Sequence, residues 1–134
     1  MYENEIGTII IKVAIQIHRE LGPGLLESVY EAVLAEEIQS CGLRVGRQVA
    51  VPIVYRGRLF NEGFRADILV ESKVILELKC VERVSNAHKK QLLTYLRLTG
   101  LKLGYLLNFS EATMRRGVTR TVNGLKEGAC SAKE

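Results

Sequence analysis

The spacing of apolar residues predicts two helices at the start of the chain. Residues 5–20 are apolar around much of a helical circumference and end at Leu-Gly-Pro-Gly, which favours a largely buried helix, although the isoleucine content is also compatible with a strand. Helical spacing resumes over residues 25–42, and Gly42 is typical of a helix C-terminus. The apolar positions of this second helix are Leu26, Val29, Val33 and Leu34.

From Arg44 onward the pattern favours strands. Two stretches rich in Val, Ile, Leu and Phe, residues 44–57 and 57–70, flank a basic turn at Arg56-Gly57-Arg58. Pro52 places the first strand at a sheet edge, because proline cannot donate a ladder hydrogen bond. The polar residues 71–73 then separate two apolar runs, 66–70 and 74–79, which predicts a hairpin.

The remaining pattern predicts one more helix and one more strand. Residues 86–99 have helical spacing and precede Gly100, and residues 102–110, rich in leucine and aromatic residues, favour a strand. A polar tail, about residues 118–134, has a short strand at its start. We therefore expect a single α+β (mixed α/β) domain over residues 1–134, with a small mixed sheet flanked by helices.

Composition narrows the class of protein. With 134 residues, 47% of them hydrophobic, the chain is long enough for one sizeable core. No apolar run reaches the ~20 residues of a membrane-spanning helix, and the acidic N-terminus is unlike a secretion signal, so we expect a soluble, cytoplasmic protein without a membrane partner. The three widely spaced cysteines indicate free thiols rather than disulfides. The net charge of +4 is compatible with a polyanionic partner without requiring one.

Three charged residues interrupt the apolar hairpin. If residues 71–73 form the loop, Asp67 lies opposite Glu77, and strand alternation puts Lys79 on the same face. Two carboxylates this close raise each other's pKa unless a cation lies between them, and Mg²⁺ prefers such oxygen ligands. The pattern thus points to a divalent-metal site beside a lysine that acts on water or phosphate. A partly buried ion pair between Lys79 and one acid is the open alternative.

Residues on two helices add to this candidate site. His88, Gln91 and Tyr95 share one face of the helix 86–99, where an amide and a phenol can hydrogen-bond a water, a metal ligand or a phosphate. The same residues also suit the border of an ordinary amphipathic helix. Glu27 lies in the first turn of the second helix, where an acid also interacts favourably with the helix dipole.

The chain resembles a known family. Residues 24–30, GLLESVY, match the signature of the GxxExxY protein family, and the segments around the hairpin and the helix 86–99 resemble the rest of that family in the same order. The resemblance covers about residues 5–110. The family is placed in the PD-(D/E)XK nuclease superfamily, and its Q-x-x-x-Y pattern is similar to that of RecB-type exonucleases. Ala66 stands where that superfamily commonly has proline.

The resemblance implies a restriction-endonuclease-like core and a nuclease that hydrolyses phosphodiester bonds of DNA or RNA with Mg²⁺ or Mn²⁺. It implies that Asp67 and Glu77 are metal ligands, that Lys79 is the catalytic lysine, and that Gln91 and Tyr95 form a supporting catalytic pair. Glu27 would be a further acid at the metal. A non-catalytic nucleic-acid-binding or protein-interaction module on the same scaffold is the alternative. The small size is compatible with a homodimer or a partner chain.

Several basic residues are compatible with a phosphate track, although exposed basic side chains are usually only solvated. Among them we single out Lys89 and Lys90, with the neighbouring His88, as candidate nucleic-acid-binding residues. The others are Arg56, Arg58, Arg83 and Arg97.

Overall fold

The computed structural model describes residues 1–126 of the chain. The helices in these residues are α1 (Glu3–Leu21), α2 (Glu27–Ser40), α3 (Asn86–Thr99) and α4 (Met114–Gly117). The strands are β1 (Val45–Tyr55), β2 (Arg58–Val70), β3 (Val74–Lys79), β4 (Leu103–Asn108) and β5 (Val118–Val122). None of the helices in the described part of the chain has the length and hydropathy needed to cross a membrane.

The strands form one mixed sheet in the order β1-β2-β3-β4-β5. Neighbouring strands are antiparallel except β3 and β4, which are parallel and are connected through α3. The α+β prediction is confirmed, and β1, with Pro52, lies at an edge as predicted. The strand predicted at the start of the polar tail is β5, whereas residues 127–134 of that tail lie outside the described residues.

Helices cover both faces of the sheet. Helices α1 and α2 pack on one face, where side chains such as Ile10 and Leu34 contact the inward residues of the hairpin: Ile68, Val70, Val74, Leu76 and Leu78. On the other face, Leu92 and Leu96 of α3 pack against Ile75 and Leu106. The alternation predicted for residues 67–79 is therefore confirmed, because even-numbered and odd-numbered apolar residues enter different cores.

Local signals explain both ends of α3 and the start of α2. The Ser85 hydroxyl accepts a hydrogen bond from the backbone nitrogen of His88, and Gly100 ends α3 in the left-handed conformation. Helix α2 begins later than predicted, because Gly24 has a φ of 110° and Leu26 remains extended as the N-cap residue. Leu26 is therefore exposed rather than part of the apolar face, and Val29, also predicted on that face, is exposed as well.

Strand β2 changes layer at Asp67, which means that its alternate side chains face one side of the sheet before this residue and the other side after it. Phe64 and Ala66 pack against α3, whereas Ile68 and Val70, two and four residues beyond Ala66, pack against α1 and α2. The ladder with β1 has matching runs on either side of Gln48 and Asp67, but these two residues are not paired with each other in it. Gln48 has a left-handed backbone, with a φ of 50°. The change of layer places Asp67 at a discontinuity in the sheet.

Candidate active site

The β2–β3 hairpin has the predicted register. Val70 pairs with Val74, and the ladder continues to Ile68 and Leu76. The loop is tied to the start of β1, because Glu71 accepts hydrogen bonds from the backbone and side chain of Arg44 at 2.6 and 3.4 Å. These hydrogen bonds lower the pKa of the Glu71 carboxyl group. The loop therefore sets which residues of β2 and β3 face each other.

Beyond Ile68 and Leu76, the two strands are joined by hydrogen bonds from backbone nitrogens to side-chain carboxylates instead of the backbone ladder. The amide nitrogen of Asp67 donates to Oε2 of Glu77 at 3.2 Å, and the amide nitrogen of Leu78 donates to Oδ2 of Asp67 at 2.8 Å. Each acid is thus held by the backbone of the opposite strand. The two carboxylates lie next to each other because the hairpin itself positions them.

Both carboxyl groups of this pair are electrostatically disfavoured as anions. Burial, together with the negative charge of Asp67, raises the pKa of Glu77 to about 7. The pKa of Asp67 is raised mainly by burial and further by the charge of Glu31, although a backbone hydrogen bond from Leu78 opposes the shift. The hairpin therefore concentrates negative charge where water screens it poorly.

Lys79 lies beside this pair without forming an ion pair. Its positive charge lowers the pKa of both Asp67 and Glu77, so the ammonium group is near them. However, among residues 1–126 no salt bridge joins Lys79 to either acid. The ion-pair alternative is therefore not what the structure contains, and the lysine remains available to a ligand.

Helix α2 brings Glu27 to the end of β3. Oε2 of Glu27 accepts a hydrogen bond from the backbone nitrogen of Cys80 at 3.1 Å, directly after Lys79. The charge of Glu27 also contributes to the raised pKa of Glu77. Glu27 is thus adjacent to the site, and its role as a metal ligand stays a prediction.

Two residues that the sequence reasoning did not propose, Glu31 and Gln48, complete the polar network. Nε2 of Gln48 donates to Oε1 of Glu31 at 2.8 Å and to Oδ1 of Asp67 at 3.3 Å, so it bridges the two acids. Glu31 is only 8% exposed, and its other carboxylate oxygen accepts from Nε of Arg47 at 3.1 Å. Glu31 follows Glu27 by one helical turn, a spacing that could have revealed it. Gln48 has no such signal in the sequence.

Asn108 is a third residue that the sequence reasoning did not propose. It pairs with Lys79 in the parallel ladder and is buried. Its side-chain amide exchanges two hydrogen bonds with the backbone of Val81, at 2.8 and 3.1 Å. A single amide in the apolar strand β4 is the signal that could have found it. Asn108 fixes the chain just after Lys79.

The α3 residues lie at different depths. Tyr95 stacks on Phe64, with ring centroids 3.6 Å apart, and its pKa is raised by burial and by the charge of Glu77. Gln91 lies exposed one turn earlier and makes no side-chain hydrogen bond within the described residues. The structure therefore brings Tyr95 close to the acid pair and leaves Gln91 free for a ligand.

The basic segment at the start of α3 is mostly exposed. His88 is part of a capping arrangement, because its Nδ1 accepts a hydrogen bond from the backbone nitrogen of Ser85 at 3.2 Å. Lys89 and Lys90 are exposed to solvent. The structure thus gives His88 a structural contact that its sequence position did not indicate, and nucleic-acid binding by the three residues stays a prediction.

The donor set suits a hard divalent cation with few protein ligands. Among residues 1–126, no group of three or more His, Cys, Asp and Glu side chains is arranged to hold a metal ion. Asp67 and Glu77 nevertheless offer carboxylate oxygens whose mutual repulsion a cation would relieve. Mg²⁺ is commonly held by one or two carboxylates together with water and substrate phosphate. The chemistry of the pair therefore fits Mg²⁺ or Mn²⁺.

A family model described as PD-(D/E)XK nuclease superfamily matches residues 4–121. The chain belongs to the PD-(D/E)XK nuclease superfamily. No curated protein and no solved structure matches the chain.

The mixed sheet with helices on both faces is consistent with the restriction-endonuclease-like fold of the PD-(D/E)XK superfamily. Asp67 and the tripeptide Glu77-Leu78-Lys79 match, in type and order, the D and the (D/E)XK of that name. Members of the superfamily are generally nucleases, so membership suggests a nuclease and implies nucleic acid as the substrate class.

Proposed function

We propose that the protein is a divalent-metal-dependent nuclease that hydrolyses phosphodiester bonds of DNA or RNA. The observation that supports this proposal best is the pair of carboxylates at the fork of the hairpin, where Asp67 and Glu77 each accept a hydrogen bond from the opposite strand. Beside them, Lys79 is near enough to lower the pKa of both acids but is not bound to either. Two acids that can hold a divalent cation, and an ammonium group that can stabilise charge on a phosphoryl group, suit metal-assisted phosphodiester hydrolysis.

In this proposal Asp67 and Glu77 hold Mg²⁺ or Mn²⁺ through their carboxylate oxygens. When bound, the cation supplies Lewis-acid stabilisation of the negative charge that develops on the phosphoryl group. The ammonium group of Lys79 contacts the scissile phosphate or the attacking water and stabilises the same charge.

The other candidate residues have supporting roles in the proposal. Glu27 holds water near the cation or a second ion, from its position beside the amide of Cys80. Gln91 and Tyr95 position the attacking water or the scissile phosphate from α3. His88, Lys89 and Lys90 contact phosphates further along the nucleic acid.

We also propose that the chain is of the GxxExxY type, because the three signature residues act together. Gly24 has a φ of 110°, which a glycine adopts without strain. The hydroxyl of Tyr30 donates to the carbonyl oxygen of Gly22 and accepts from the amide of Leu25 at 3.2 Å, so it closes the turn before α2. Closing this turn sets where Glu27 begins the helix and reaches β3. In this proposal the signature residues therefore position the carboxylate of Glu27 beside the site.

Cleavage assays with purified protein test the proposal. Single-stranded, double-stranded and structured DNA and RNA are incubated with Mn²⁺ or Mg²⁺ and with EDTA, and calorimetry measures Mn²⁺ binding. We expect metal-dependent cleavage that Asp67→Asn abolishes and that the control Glu62→Gln, an exposed acid on the same strand, retains. Absence of both cleavage and Mn²⁺ binding across these substrates contradicts the proposal.

A nucleic-acid-binding module without turnover is the second candidate. It is favoured by the raised pKa of Glu77, about 7, because a carboxyl group that is partly protonated near neutral pH is a poor metal ligand. This function predicts salt-dependent binding of nucleic acid that Asp67→Asn leaves unchanged, with no cleavage in Mn²⁺.

A further inference from the structure

The β1–β2 hairpin continues well beyond the core of the protein. The ladder between its strands breaks after Val51 and Phe64 and resumes at Ile53 and Phe60, so three residues of β2 lie opposite Pro52 alone. A side chain at Gly63 would overlap the carbonyl oxygen of Val51, so the close approach of the strands at this bulge requires glycine. The bulge separates a distal segment, residues 53–60, which we name the outer ribbon.

The outer ribbon has apolar side chains but no core to bury them in. None of residues 53–60 belongs to either of the two core clusters found in the described chain. Large exposed fractions remain on its apolar residues: Val54 57%, Tyr55 57%, Leu59 63% and Phe60 38%. The ladder places Val54 and Leu59 on one face of the ribbon and Tyr55 and Phe60 on the other. An isolated two-stranded ribbon is marginally stable in water, and exposed apolar side chains grouped in this way indicate an interaction site.

The charge of the outer ribbon indicates the kind of partner. Residues 53–60 include Arg56 and Arg58 and no acidic residue. Cζ of Arg56 lies 5.5 Å from the ring centroid of Tyr55, and Cζ of Arg58 lies 5.8 Å from that of Phe60. Each aromatic ring is thus next to a guanidinium group. Flat rings beside cations are the combination that binds the bases and phosphates of a single-stranded nucleic acid.

We propose that the outer ribbon is an arm that binds a single-stranded part of the nucleic-acid substrate, away from the site of cleavage. Arg56 and Arg58 contact phosphates, and Tyr55 and Phe60 stack on unpaired bases. The proposal rests on the proposed function for the identity of the substrate. Exposed basic residues are usually only solvated, and the neighbouring aromatic rings are what distinguish Arg56 and Arg58 from that case.

The length of β2 sets the footprint of this arm. Nine residue steps separate Arg58 from Asp67 along the strand, which at about 3.3 Å per residue is a reach of at most ~30 Å. At the helical rise of about 3.4 Å per nucleotide, this span corresponds to at most roughly nine nucleotides, and to fewer where a single strand is extended. A dinucleotide in the active site should therefore be insensitive to changes in the ribbon.

Binding without metal tests the arm separately from catalysis. Fluorescence anisotropy in EDTA measures the affinity of the full chain for a single-stranded oligothymidylate of about 20 nucleotides over a range of salt concentrations. For the double variant Arg56→Ala/Arg58→Ala we expect about tenfold weaker binding and a slope of log affinity against log salt reduced by about 1.4, the value for two lost contacts to a single strand. The matched control is Arg115→Ala/Arg116→Ala, which removes the same charge from exposed arginines of α4.

A second variant tests stacking. Tyr55→Ala should weaken binding of the single strand about fivefold or more, whereas Tyr55→Phe, which keeps the ring, should bind as the wild type does. The loss should be smaller on a blunt duplex, whose bases are already stacked. Circular dichroism of each variant confirms folding, which we expect to persist because the ribbon lies outside both cores.

Three results would contradict the proposal that the outer ribbon binds a single strand. Equal losses for the ribbon variant and the α4 control, or an equal effect of Tyr55→Ala on the duplex, exclude it. So does unchanged nucleic-acid affinity combined with a loss of self-association in light scattering, which would make the ribbon a contact between two copies of the chain. Binding that depends on the ribbon, without any cleavage, would contradict the proposed nuclease activity and support the role of the arm. Cleavage together with binding that does not depend on the ribbon would support the nuclease activity and contradict the role of the arm.

Discussion

The amide nitrogen of Asp67 donates a hydrogen bond to the carboxylate of Glu77 at 3.2 Å. A backbone group of one acid thus holds the side chain of the other, at the point where the paired ladder of the hairpin ends. This arrangement keeps two half-buried carboxyl groups together although their charges repel. It makes protonation of the pair, its affinity for cations and the stability of the fold depend on one another.

The pH dependence of stability should show this coupling. The pKa of Glu77 is raised in the folded protein from an ordinary value near 4.5 to about 7. The folded protein therefore favours the protonated form of Glu77. The contribution of this group to the free energy of unfolding is complete below the ordinary pKa and is lost as the pH rises through about 7. In metal-free buffer the free energy of unfolding should fall across this interval, by at most about 3 kcal/mol for this group. Urea denaturation at several pH values measures it.

Glu77→Gln identifies the group responsible for that fall. Glutamine cannot ionise, so the variant should lose a large part of the decrease in stability between pH 4.5 and about 7. The control is Glu37→Gln, an exposed acid on α2, which should leave the pH profile as in the wild type. A Glu77→Gln profile as steep as that of the wild type would show that other groups cause the effect.

Metal affinity should depend on pH in the opposite direction. A carboxylate must be ionised to hold a divalent cation, so a ligand with a pKa of about 7 disfavours binding in acid. Calorimetric titration with Mn²⁺ should give tighter binding above pH 7 than at pH 6. Equal affinity at both pH values would mean that Glu77 is not the limiting ligand.

Lys79→Ala should lower the cleavage rate at least about a hundredfold, because an unpaired ammonium group beside the acids is lost. Mn²⁺ binding should not weaken, since a cation is removed from the neighbourhood of the ligands. The control Lys12→Ala, on the exposed side of α1, should cleave as the wild type does. Unchanged cleavage by Lys79→Ala would exclude the assigned role.

Gln48→Ala tests the bridge that sequence reasoning missed. Without this amide, Glu31 and Asp67 lose the donor between them, and the pKa of Asp67 should rise further. We expect Mn²⁺ affinity and cleavage to fall by about 10- to 100-fold, as is usual when a partner of a metal ligand is removed. Gln39→Ala, an exposed glutamine on α2, is the control. Wild-type cleavage by Gln48→Ala would reduce the bridge to a structural contact.

Tyr95→Phe separates the hydroxyl group of Tyr95 from its ring. The variant keeps the stacking on Phe64, so the free energy of unfolding should change by less than about 1.5 kcal/mol. Cleavage should fall about tenfold or more if the hydroxyl group positions water or phosphate, within the range expected for one lost hydrogen bond. Cleavage at the wild-type rate would leave Tyr95 with a packing role only.

Much of the hairpin could be predicted because its determinants are local. The three-residue loop and the alternation of apolar residues together place Asp67 opposite Glu77. The observed ladder has this register but ends one pair earlier, at Ile68 and Leu76, and hydrogen bonds from backbone nitrogens to the two carboxylates follow it. The first helix, α3 and the edge position of β1 followed from spacing, Gly100 and Pro52 in the same way. The prediction that Leu26 lies on the apolar face of α2 was wrong, because the left-handed Gly24, two residues earlier, changes the direction of the chain before the helix begins.

The sequence by itself determined the order of the elements, the register of the β2–β3 hairpin and the residue types of the acid pair, because these depend on neighbours within a few positions. Only the tertiary structure decided that Gln48 joins Glu31 to Asp67, that β2 changes layer at Asp67, and that residues 53–60 extend beyond the core. These features depend on a left-handed residue and a bulge in a long twisted hairpin, and the two-residue period of a strand carries no signal for either.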